Sequence, residues 1–227
     1  MALPISVIIP LAPGEVEWEK LLSQLTLPDG SEIILAVGPQ NPEIKDDRIR
    51  LVTGAPGRAQ QMNEGAKEAI NEVLWFLHAD SRLSPIAQVR LQQRLSDNAD
   101  ALYFFDLRFS DDGPTATILN EWAVRIRAGF LKMPFGDQGF CVSKKLFEEL
   151  GGYREDAEYG EDHLFVWSVR QSGYPVERVA AEIFTSARKY HSNGWFATTA
   201  KHVWLTALQA LPQFVILLRK KFGRLRS

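Results

Sequence analysis

Short apolar, β-branched runs alternate with helix-spaced stretches through the first 110 residues. That alternation limits what the chain can fold into more than any other feature. Ser6–Pro10, Glu32–Val37, Arg48–Val52, Val73–Leu77 and Ala101–Phe109 read as strands, bounded by Pro, Gly and Asp. Between them, Trp18–Leu25 places Trp18, Leu21, Leu22 and Leu25 at helical spacing, and Arg58–Asn71 repeats the pattern with Ala59, Met62, Ala66 and Ala69 or Ile70. Ser84-Pro85 reads as an N-cap with proline in the first turn, opening a helix to Leu95. Strand–helix alternation predicts an α/β fold, a mixed but mostly parallel sheet flanked by helices, with the wholly apolar Val73–Leu77 at its centre. Ligands of such sheets sit outside the carboxyl ends of the strands, so the loops after Ile9, Val37 and Leu77 are the places to look for chemistry.

The second half changes character. Helical patterns recur around Ile118–Ile126 and Lys144–Leu150, followed by a stretch punctuated by glycine and charge. No linker, repeat or low-complexity segment interrupts it, and residues 1–227 read as one domain, long enough for a substantial core. One cysteine, Cys141, excludes a disulfide framework and a Cys-rich zinc site; it reads as a small buried hydrophobe. The net charge of −2 argues against nucleic-acid binding, but it hides an asymmetry. Glu182 is the last acidic residue; 18 basic and 28 acidic residues stand up to that point, and eight Lys/Arg follow it. Residues 203–227 pair an apolar helix, interrupted by Gln209, Pro212 and Gln213, with a basic tail. The apolar run is too short to span a bilayer; it can pack on the body or lie on an anionic membrane surface. With no basic, cleavable leader at the N-terminus and one cysteine, the sequence predicts a cytoplasmic protein with peripheral membrane contact.

Four constellations could carry chemistry. His78-Ala79-Asp80 ends the fourth strand at the ligand edge, where one carboxylate plus phosphate oxygens suffices for a divalent ion; alternatively Asp80 caps the turn with Ser81. Gly57-Arg58 opens a helix behind a Gly/Pro loop, a setting suited to anions, or simply a solvated arginine. Glu161-Asp162 is either a helix N-terminal pair or contains a general base. The run from Arg188 to Trp195 joins cations to aromatics, either to grip a diphosphate and stack on a sugar or base, or as a solvated turn. No P-loop, no Gly-x-Gly-x-x-Gly after the first strand, no Gly-x-Ser-x-Gly elbow and no glycine-rich, arginine-containing loop of the sugar-nucleotidyltransferase kind is present.

Taken in order, Ser6–Pro10, Gly57–Gly65, Leu77–Asp80, Phe135–Phe140, Phe147–Tyr153, Glu161-Asp162 and Ser186–Tyr190 resemble the family-2 glycosyltransferases of GT-A fold. The blocks at 57–63, 77–80, 136–140, 151–153, 161–162 and 186–190 look most like the compact bacterial subgroup associated with radical-SAM and selenodomain proteins. The resemblance runs from residue 6 to about 196, and rests on the order of the blocks rather than on any one of them. It implies an inverting, metal-dependent transfer of sugar from a nucleotide-diphosphate donor to an acceptor hydroxyl, with Mn²⁺ or Mg²⁺. Asp80 would be the metal ligand, with His78 in the first position of the family's Asp-x-Asp motif. Asp162 would be the base, beside Glu161. Pro10, Leu11, Arg58, Gln61, His78, Ala79, Asp80, Arg188 and Tyr190 would line the donor, and Gly136, Asp137, Gln138 and Trp195 the acceptor side. One departure bears on activity: Ala36–Pro42 replaces the aspartate-rich turn that holds the nucleotide base, with Asp46 or Asp47 as weak substitutes. This leaves a non-catalytic nucleotide-binding or scaffold protein of the same fold as the alternative.

Overall fold

A computed structural model describes residues 2–39, 46, 48–110, 112, 117–186 and 195–224. β1 (Ser6–Leu11), α1 (Trp18–Leu22), β2 (Glu32–Val37), β3 (Ile49–Thr53), α2 (Arg58–Glu68) and β4 (Val73–Phe76) follow the predicted alternation. β5 (Arg82–Leu83), α3 (Ala87–Asp97), β6 (Leu102–Phe109) and α4 (Thr117–Gly129) come next. A 3₁₀ turn (Gly136–Gln138), β7 (Cys141–Ser143), α5 (Lys144–Glu149), α6 (Glu161–Ser172), β8 (Val176–Thr185) and α7 (Trp195–Arg224) complete the chain. The α3 helix starts later than Ser84-Pro85 suggests. Ser84 contributes its carbonyl to the Ala87 N–H (2.9 Å), and Ile86 occupies the N-cap.

Eight strands form one sheet in the order β3-β2-β1-β4-β7-β6-β8-β5. Pairings among β1 to β4 are parallel, β7 runs antiparallel to both β4 and β6, and β8 is parallel to β6. Two antiparallel steps restore direction, so the carboxyl ends of β1, β2, β3, β4, β6 and β8 share one edge. Burial explains the unbroken apolar runs. Val7 and Ile9 of β1 enter one core with Leu35, Trp75 and Phe105, while Ile8 enters the other with Ile34, Leu74 and Phe76. A strand covered on both faces gains from apolar residues at every position. Gly65 lets α2 lie close on this strand, since a Cβ there would stand 2.7 Å from Ile8 Cγ2. Cys141 is fully buried within the first core, which pushes its thiol pKa up.

β8 was not legible in the sequence because Glu177, Arg178 and Glu182 alternate with its buried residues. Its register against β6 shifts between Phe105 and Asp106, where Val179 is followed by Glu182 as pairing partner. Such a shift leaves a ladder carbonyl unspent. The Phe105 carbonyl is used instead by the Gln138 side chain, at 2.8 Å.

Candidate functional site

The order reversal around β1 opens a crevice at the carboxyl edge. Leu11 ends β1 beside the His78-Ala79-Asp80 turn that follows β4. The turn is closed by the backbone, Ser81 N–H donating to the His78 carbonyl at 3.0 Å, so Asp80 is not its cap. Asp80 Oδ2 instead accepts from Thr185 Oγ1 (3.2 Å) and from the Ser186 N–H (3.4 Å), at the end of β8. Ser186 Oγ also donates to Asp112, at 2.6 Å. Ala79 is buried beneath, and His78 and Asp80 are half-buried.

The N-terminus of α6 stands near this turn, close enough for Asp162 and His78 to act on each other electrostatically. Asp162 is buried and has both oxygens occupied by amides: Oδ2 by Gly136 N–H at 2.5 Å, Oδ1 by His163 N–H at 2.8 Å. The close approach to Asp162 requires glycine at 136, because a Cβ there would lie 2.9 Å from Asp162 Oδ2. Burial alone would raise the Asp162 pKa. The Arg58 charge, the two amides and His78 outweigh it, and the pKa falls below its ordinary value. His78 moves below its ordinary 6.5, first through burial and then through the Arg58 charge, and is neutral at pH 7. Arg58, at the start of α2, donates from Nε to the buried Glu161 carboxylate, and its side chain as a whole is 45% exposed. Asp137 Oδ1 is buried without a hydrogen-bond partner among the described residues.

The separated sequence blocks are thus bonded to one another. Arg58 joins the 57–63 block to Glu161, and Gly136 joins its own block to Asp162. Asn63 exchanges two hydrogen bonds with the Tyr153 backbone, at 2.8 and 2.9 Å, and Asp80 reaches Ser186. Two expected ligand residues are internal struts instead. Gln61 is buried with its amide on the Leu11 carbonyl (2.8 Å), and Gln138 spans Phe105 and the Phe135 N–H. Pro10 and Leu11 are buried strand residues whose neighbourhood Gln61 fixes. Trp195 opens α7, with its indole N–H buried and unpartnered among the described residues. Arg188 and Tyr190 lie outside the described residues, as do 40–45 and 47 in the turn after β2. Asp46 is tied to Arg48 through Nε (3.0 Å) and Nη2 (2.6 Å), which lowers its pKa to about 2 and leaves it poorly placed to read a base.

A chain the sequence did not reveal runs away from Asp162. Trp167 Nε1 donates to His163 Nε2 (3.0 Å), so the neutral ring carries its proton on Nδ1 and donates to Gln209 Oε1 at 2.6 Å. Gln209 donates in turn to the Tyr159 carbonyl, at 2.9 Å. Burial holds the His163 pKa below 6.5.

Whether these residues fit a divalent ion can be judged from the donors. Among the described residues no group of three His, Cys, Asp or Glu is arranged to hold one unaided. A single carboxylate with one oxygen anchored by β8, beside a neutral imidazole, fits an ion that takes its remaining ligands from a diphosphate.

No sequence-family profile and no curated relative matches the chain. Solved structures do. The mannosyltransferase PcManGT from Pyrobaculum calidifontis, in complex with GDP-Man and Mn²⁺, superposes with a TM-score of 0.67 at 16% identity, covering 97% of this chain and 69% of that one. GalNAc-T7 with UDP, GalNAc and Mn²⁺ gives 0.62 at 15% identity, over 82% of this chain and 43% of that one. S. aureus TarS 1–349 in complex with UDP-GlcNAc gives 0.59 at 13%, over 81% and 58%. The chain therefore has the GT-A glycosyltransferase fold, and spans about half the length of the GalNAc-T7 and TarS chains that it matches.

Proposed function

We propose that the protein is an inverting glycosyltransferase that moves a sugar from a nucleotide-diphosphate donor to an acceptor hydroxyl. The observation carrying this reading is the ionised, amide-held Asp162 beside the Arg58 charge, with His78 close enough to feel both Asp162 and Asp80. In this reading Asp162 takes the proton of the acceptor hydroxyl. The acceptor oxygen bonds to the anomeric carbon as the carbon–diphosphate bond breaks, and the diphosphate leaves with the electron pair. Two amides hold the carboxylate in one orientation before substrate arrives, a positioning that saves entropy in the transition state. Glu161 fixes Arg58, and the held guanidinium supplies positive charge towards the leaving group, where charge develops. The unspent Asp137 Oδ1 suits a sugar hydroxyl. Asp80 would hold the divalent ion, with His78 beside it, and the bound ion would neutralise diphosphate charge. Arg188 and Tyr190 belong to the donor side and Trp195 to the acceptor side in this proposal. Membership of the radical-SAM-associated subgroup rests on the sequence blocks alone.

Asp162→Asn tests the reading. Turnover of a nucleotide sugar should fall by about 10²–10⁴, the usual worth of a general base. Donor affinity should stay within a few-fold, measured by calorimetry. Full activity in the variant removes the base assignment. Donor binding by the native chain without turnover on any acceptor would favour the scaffold alternative.

A further inference from the structure

Two helices present apolar faces that the body does not cover. On α7, Phe196, Val203, Trp204, Leu208, Leu211, Phe214, Val215 and Leu218 are all exposed, Phe196 at 77% and Trp204 at 65%. At 100° per residue these positions fall within a stripe about 140° wide. The stripe runs most of a helix of 30 residues, about 45 Å long. A furrow of about 370 Å³ follows its first half, lined by Trp195, Phe196, Ala200, Val203, Trp204 and Ala207 together with Thr199.

The inner face of the helix is already committed. Gln209 bonds Tyr159 and His163, Gln213 accepts from Gln171 Nε2 at 3.0 Å, and Leu217 is buried. The glutamines that break the apolar run in the sequence are thus the contacts docking α7 on α6, and the stripe faces away from them. On α4, Ile118, Leu119, Trp122 and Ile126, with Phe130 just beyond, form a second exposed stripe about 120° wide. Phe130 is 84% exposed and Trp122 61%. The Asn120 amide donates to Thr199 Oγ1 at 3.2 Å, so the two helices touch near their starts.

Charge identifies the occupant. Exposed Lys201 and Arg219 flank the α7 stripe, and exposed Arg125 flanks that of α4. No acidic residue lies anywhere in α7. The one acid of α4, Glu121, is turned inward onto Arg108 (2.9 Å) and the Phe109 N–H (2.7 Å). A second copy of the chain docked symmetrically through these faces would bring cationic rim against cationic rim, with no acid of either helix to pair with them. Apolar stripes with tryptophan and phenylalanine, rimmed by cations without acids, match the boundary of an anionic bilayer. Among the described residues no helix is long and apolar enough to cross one. We propose that α4 and α7 together form a two-helix surface on which the protein lies against an anionic lipid bilayer. Through Gln209 and His163 this surface stands one helix away from Asp162, which would set the cleft at the membrane.

Co-sedimentation of the full chain with phosphatidylcholine vesicles, with and without phosphatidylglycerol, tests the proposal. Binding is expected to the anionic vesicles, weakening with salt, with a blue shift of tryptophan emission. Replacing Arg125, Lys201 and Arg219 by Glu should weaken it at least about a hundredfold, since each surface cation is worth roughly a factor of five. Trp122→Ser with Trp204→Ser should remove the blue shift. Melting curves of both variants check that they fold, and failure of one leaves the other as the test. No binding to anionic vesicles, or binding that neither variant weakens, overturns the proposal. So does concentration-dependent dimerisation abolished by the tryptophan substitutions, which would assign the face to a second copy.

Discussion

At the scale of single residues, Asp80 and Asp162 are held by opposite means. Asp162 is fixed by amides next to it in the fold, from Gly136 and His163, and stays charged through Arg58. Asp80 is held through one oxygen by Thr185 and Ser186, more than a hundred residues away in the chain. Asp80→Asn keeps that geometry and removes the charge. We expect unchanged melting and a loss of any Mn²⁺-dependent gain in nucleoside-diphosphate affinity, read by calorimetry with and without the ion. An undiminished Mn²⁺ effect would move the ion elsewhere. Both carboxylates stood out as candidates in the sequence, Asp80 because it follows a wholly apolar strand and Asp162 because it opens a helix. Their supports were not. Thr185 ends a strand whose alternating charges disguise it, and its pairing with β6 is non-local. Gln61 and Gln138 look like ligands in the sequence. Only the fold shows that the Leu11 and Phe105 carbonyls need them.

At the scale of elements, α6 is held at its start by a glycine and along its length by α7. Gly160 has φ +64°, and a Cβ there would lie 2.6 Å from Gln209 Oε1. Gly160→Ala should therefore cost the left-handed penalty, about 1–2 kcal/mol, and also displace Gln209 from His163. With about 2–4 °C per kcal/mol for a chain of this size, Tm should drop by at least a few degrees. In combination with Gln209→Ala the two losses should be less than additive, since both break one contact. Strict additivity in a double-mutant cycle would separate the glycine from the α7 latch. The parallel half of the sheet was legible because buried parallel strands show as apolar runs. β5 and β7 have two and three residues, too few to display any period. The apolar α7 was legible as a helix. Which side of it the glutamines occupy depends on α6, which sequence periodicity does not report.

At the scale of the whole molecule, two neutral histidines, buried His163 and half-buried His78, and a buried charged aspartate give stability a common direction with pH. His78 and His163 have folded pKa values below 6.5, and Asp162 below 3.8. On acidification the unfolded chain takes up protons before the folded one. The histidine contribution is fully present above about pH 6.5 and is lost as pH falls towards their lowered values. Asp162 adds a further loss below its ordinary 3.8. Each histidine contributes a slope of at most about 1.4 kcal/mol per pH unit. Tm should fall between pH 7 and pH 5, and less steeply in His163→Gln; a flat or rising Tm contradicts the two neutral rings. The chain as a whole is read as a donor site for a nucleotide sugar, and thermal shift against a panel of nucleoside diphosphates, with and without Mn²⁺, bears on that most directly. At a hundred times its dissociation constant the right nucleotide stabilises by about 2.7 kcal/mol. That should raise Tm by roughly 5–10 °C. A melting temperature unmoved by every diphosphate, with and without metal, would contradict the donor site.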